Sequence, residues 1–146
     1  KLPRYSSAPA IMLVILQIGP GLLHRLEMKI FLALTLAGMG QVAQEMLRDV
    51  MQAYDGHDAK LALEVWHRDI EVDHMHTAFY KEVLASMARD PNFVATGAHL
   101  LFMAKNIERI GDYATGIAEQ VHFLVHGAVP EDSRPKADRT SKVVGV

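Results

Sequence analysis

Two pairs of acidic residues, Asp69/Asp73 and Glu108/Asp112, have the types and spacing that could do chemistry in this 146-residue sequence. On a helix, side chains four residues apart lie one turn above the other on the same face. Stacked carboxylates repel each other unless a cation lies between them. Asp69, Asp73 and His76 project into an apolar arc formed by Ala62, Val65, Trp66, Val72, Phe79, Tyr80, Val83, Leu84 and Met87. Glu108 and Asp112 edge a second seam, made by Leu101, Ala104, Ile107, Gly111, Ala114, Ala118 and Val121. A charge facing a core costs several kcal/mol unless it is paired or bound to metal. Four carboxylates converging on one level would form a hard-oxygen site suited to Mg, Mn, Ca or Fe. Arg68, Lys105 or Arg109 could neutralise the same acids as ion pairs, with no metal involved. His76 follows Asp73 by three residues. The resulting D-x-x-H unit is similar to the E-x-x-H unit of di-iron bundles, but it has Asp for Glu and occurs once. Asp49 falls on the apolar side of its own segment and is either a further ligand or half of a buried ion pair.

The elements that must position these residues read as helices. The seam from Leu101 to Val121 belongs to a helix spanning roughly residues 93–126, with Gly127 where a terminating glycine is expected. Residues 59–88 form a second long helix without internal Gly or Pro, capped by Asp58 and stopped at Asp90-Pro91-Asn92. Met39, Val42, Met46, Val50 and Ala53 mark a helix over residues 39–54, ended by Gly56-His57. Residues 22–36 are helical and apolar on several sides. Short turns make consecutive helices antiparallel. Asp73 and Glu108 lie 18 and 17 residues from Pro91, so the two acid pairs fall at the same height. The expected fold is all-α: an antiparallel three-helix bundle over residues 37–127. An additional apolar segment, 1–36, precedes it, and a disordered polar tail, 128–146, follows.

Composition removes several function classes. A formal net charge of −2 leaves no basic excess for nucleic acid. Zero cysteines exclude disulfides and thiolate metal sites. Phosphate-cradling and dinucleotide fingerprints are absent, as is a nucleophile elbow. No uninterrupted run reaches the ~20 apolar residues of a membrane span. Residues 8–18, behind Lys1 and Arg4, are only faintly similar to a secretory signal. A chain opening on Lys1 is expected to be a fragment or a processed product.

The segment KNIERIGDYATGIAEQVHFLVHG, residues 105–127, resembles the signature helix of the PhoU family of phosphate-uptake regulators. Within it, residues 108–112 match the E(D)xxxD motif, and RDIEVDHMHTAFYKEVLASM, residues 68–87, is similar to the companion helix carrying DxxxD. QEMLRDVMQAYDGHDAKLALEV, residues 44–65, is similar to the helix and turn before it, and the resemblance extends over about residues 38–140. It implies one three-helix repeat of a fold that has two in tandem, with Asp69, Asp73, Glu108 and Asp112 as ligands of divalent or ferric ions (Mg, Mn, Fe or Zn). His76 and Asp49 are possible additional ligands. It further implies a regulator and not an enzyme. Such a protein is cytoplasmic, peripheral to the membrane through its partners, and acts between a phosphate ABC transporter and a phosphate-sensing histidine kinase. A lone repeat is expected to form a homo-oligomer that covers its apolar face. Two rival readings are a di-iron-type carboxylate bundle with redox activity and a metal-free helical interaction module.

Overall fold

The computed structural model describes residues 20–130 and 137–143. Helix α1 spans Pro20–Gly56, α2 Ala59–Arg89, α3 Val94–His126 and a one-turn α4 Thr140–Val143. No strand occurs among the described residues. Each of the three long helices packs against both others, which gives the expected all-α bundle.

The α1 sequence buries Leu32, Leu36, Met39, Ala43, Met46, Val50 and Ala53, in alternating steps of four and three residues. That spacing keeps one seam turned toward two partner helices along about six turns of chain. The expected break between residues 36 and 39 does not occur. Gly38 is there for packing: a Cβ on it would stand 3.2 Å from Met75 Cε on α2. The apolar 22–36 segment is therefore the first half of α1, continuous with the bundle. By length and composition α1 could also cross a membrane. His24, Arg25, Glu27 and Lys29 conceal this from a reading by uninterrupted runs; Leu32, Leu36 and Met39 are buried in the bundle, while only 28% of the apolar window is buried in all.

The turn into α2 follows from two residues. His57 adopts a left-handed φ of 52°, and the Asp58 carboxylate accepts a hydrogen bond from the Leu61 N–H at 3.0 Å. At the other end, the Asp90 carboxylate accepts the Asn92 N–H at 3.0 Å, and Pro91–Phe93 make a 3-10 turn leading into α3. Gly127, with φ 71°, ends α3 and donates its N–H to the Phe123 carbonyl.

The core is divided in two. Met46, Val50, Ala53, Ala62, Val65, Trp66, Val72, Ala114, Ala118 and Val121 form one cluster. Leu32, Leu36, Met39, Phe79, Val83 and Ala104 form the other. In sequence, Asp73, His76, Glu108 and Gly111 fall between the two, at the waist of the bundle.

Candidate functional site

The waist is polar and buried. Asp69 and Asp73 are each 1% exposed, Glu108 2% and His76 3%. Thr115, also buried, donates its hydroxyl to the Asp112 carbonyl at 2.8 Å, a helix-internal bond that satisfies the hydroxyl. Asp112 is half-buried. Asp69 packs against the α3 backbone because Gly111 lacks a side chain. A Cβ there would stand 3.2 Å from Asp69 Oδ1 and 3.7 Å from Val72. Ala at this position gains helix propensity but crowds Asp69, so Gly111→Ala should be nearly neutral. Gly111→Val, with two further methyls, should destabilise by about 1–3 kcal/mol. Chemical denaturation of both variants checks this, and equal stability of the valine variant and the parent would contradict it.

Among the candidate cations, Lys105 reaches Glu108. Its Nζ lies 2.6 Å from Glu108 Oε2 and 3.8 Å from Asp138 Oδ2, whereas Arg109 is exposed. Alignment at Glu108 is poor, so the buried Oε2 makes a close ion pair without a geometric hydrogen bond. Burial works to lower the Lys105 pKa, but the contact and charge of Glu108, then the charges of Asp138 and Asp112, outweigh it and raise it above 10.5.

The tail supplies a residue that sequence reasoning did not identify. Residues 128–146 were expected to be disordered, yet 137–143 lie on α2. Asp73 Oδ2 accepts the Ala137 N–H at 2.7 Å, and Thr77 Oγ1 accepts the Arg139 N–H at 3.1 Å. Asp138 Oδ1 accepts the Thr140 N–H at 2.9 Å and lies 3.7 Å from His76 Nδ1. Burial would raise the Asp138 pKa; the Thr140 hydrogen bonds, His76 and Lys105 together hold it below the usual carboxylate range. The physical reason for the docking is that buried acceptors on α2 need donors, and a chain segment with free N–H groups provides them. Asp138→Ala should release residues 137–143. Hydrogen exchange at Ala137 and Arg139 should accelerate, while global stability falls by only about 1 kcal/mol. Unchanged protection of both amides would contradict the docking.

The remaining candidates divide. His76 is in the waist, and its buried Nδ1 has no hydrogen bond. Asp49 is instead in an ion pair with Arg68, 2.8 Å away, both side chains partly exposed. The residues fit a hard cation in donor type and burial, since Glu108 Oε2 and His76 Nδ1 are buried without a geometric hydrogen bond. Their spacing is less favourable: among the described residues no three His, Cys, Asp or Glu side chains are grouped closely enough to hold a metal ion. An ion at Glu108 would therefore have to displace the Lys105 ammonium.

Comparison with known proteins bears on the same helices. The PhoU domain family matches residues 36–121, which include both acid pairs. A phosphate-specific transport system accessory protein PhoU homolog of Caulobacter vibrioides is 46% identical over 104 residues, 71% of this chain and 45% of that protein. The homolog of Rhizobium meliloti is 40% identical over 115 residues, 79% of this chain and 48% of its own. That of Pseudomonas aeruginosa is 34% identical over 89 residues, 61% of this chain and 37% of its own. The chain thus spans less than half the length of these relatives, which are named as accessory proteins and not as enzymes. No solved structure matches it significantly. With the family match covering more than half of the chain, this chain belongs to the PhoU domain family.

Proposed function

We propose that this chain is one three-helix unit of a phosphate-transport accessory protein that restrains phosphate uptake and phosphate-starvation signalling. It acts by contact and not by catalysis. Its partners are a phosphate ABC transporter and a phosphate-sensing histidine kinase, and it works in the cytoplasm at the membrane face. The observation that supports this reading is the family match over residues 36–121, together with relatives named as accessory proteins of phosphate-specific transport. Within this unit Asp69, Asp73, Glu108 and Asp112 would hold a divalent or ferric ion, with His76 beside them and Asp49 as an outlying candidate. The ion, when bound, supplies a fixed positive charge that draws α2 and α3 together at the waist. A unit separated from the rest of such a protein would pair with a second copy through its exposed apolar residues.

Affinity purification of the tagged chain from host membranes solubilised in mild detergent tests the partner assignment. The transporter's ATP-hydrolysing subunit and the kinase should co-purify. Recovery of neither, with the chain folded and abundant, would refute the adaptor role. A metal-free helical module is the second reading, favoured by the Lys105 ammonium standing 2.6 Å from Glu108.

A further inference from the structure

At the opposite end of α2 from the turn at Asp58, a cavity of about 380 Å³ opens between the first turns of α1, the last turns of α2 and the start of α3. Three permanent cations line it, Arg25 and Lys29 from α1 and Arg89 from α2, together with His24, Ser86 and the carboxylate Asp90. Asp90 is already engaged as the acceptor of the Asn92 N–H. The Arg89 guanidinium, half exposed, has three contacts: Nη2 donates to Glu82 at 3.0 Å, Nε donates to the Ala85 carbonyl at 3.1 Å, and Nη1 stands 3.2 Å from His24 Nε2. Lys29 has no ion-pair or hydrogen-bond partner among the described residues, and Arg25 uses only Nε, on the Gly21 carbonyl. Ser86 is the second, independent indication. It is 8% exposed, and its buried Oγ has no hydrogen-bond partner, not even the carbonyl one turn back that a helical serine ordinarily uses. A buried hydroxyl left open on a cavity lined by cations is a donor awaiting an acceptor.

We propose that this cavity binds a phosphate group, held by Arg25, Lys29 and Arg89 and accepting the Ser86 hydroxyl. A tetrahedral dianion satisfies forked and point-charge donors at once. The apolar side chains of Leu26, Met28 and Phe93 along the same cavity suit an organic body attached to the phosphate. Leu23 and Ile30, 40% and 58% exposed on the same helix, would meet the acyl region if the phosphate is a lipid headgroup. The cavity is independent of the waist. Ser86 lies roughly 20 Å along α2 from Asp73, so either site can fail without the other.

Titration calorimetry with inorganic phosphate and with glycerol 3-phosphate, beside co-sedimentation with phosphatidylglycerol vesicles, separates the two sources. Saturable binding is expected in at least one arm. It should weaken tenfold or more in Arg25→Gln/Lys29→Gln and severalfold in Ser86→Ala, and be unaffected by Asp73→Asn or chelator. Binding confined to vesicles assigns a headgroup, and binding of the soluble probes assigns a free phosphate. No saturable binding in any arm, or undiminished binding by the double variant with the parent's circular-dichroism melt, overturns the proposal.

Discussion

Phe79→Ala should destabilise the bundle by about 3–5 kcal/mol, a large fraction of what a domain of this size has. Phe79 is 0% exposed and the largest of the fully buried side chains. It occupies the core cluster between the waist and the cationic end, among Leu32, Leu36, Met39, Val83 and Ala104. Three of those neighbours come from α1, so the cavity left by truncation cannot close without moving a helix. Phe102 is the internal control: it is 72% exposed, and its removal should stay within about 0.5 kcal/mol. Urea denaturation of both variants decides the matter. A loss below about 1 kcal/mol at Phe79 would mean that the second cluster contributes little and that the waist is held otherwise.

The second large effect concerns ion binding. A ligand that binds only the folded state stabilises it by about 4 kcal/mol at a thousandfold excess over its Kd. Saturating Mn, Fe, Mg or Zn should therefore raise the melting temperature of protein stripped with chelator by several degrees, and Asp73→Asn or Glu108→Gln should abolish the rise. Lys105→Met gives the opposite expectation. It removes the ammonium standing 2.6 Å from Glu108, so an ion no longer has to displace it and should bind more tightly. No response to any of these ions in the parent chain would favour the metal-free module.

Much of this was legible in the residues. The matched distances of Asp73 and Glu108 from Pro91 lead to the expectation of one height for the two acid pairs, and the structure places Asp69 on α2 against Gly111 on α3. Asp58, Asp90 and Gly127 marked the helix ends because capping is a local property, decided within a few residues. What escaped was decided at long range. Gly38 signals a break when viewed alone, and only the approach of Met75 from another helix explains it. By contrast, local spacing does separate the two cations beside Glu108: Lys105, three residues before it, shares its helix face and pairs with it, whereas the adjacent Arg109 does not. The tail composition predicts disorder, and nothing local shows that buried acceptors on Asp73 and Thr77 would recruit the N–H groups of Ala137 and Arg139.

Elemental analysis of the chain purified without chelator, beside Asp112→Ala prepared identically, tests most directly whether a cation draws the acids of α2 and α3 together. The parent should carry metal, and the variant should carry less by on the order of tenfold or more. Equal metal in the two proteins would contradict the assignment of Asp112 and its three companions as ligands.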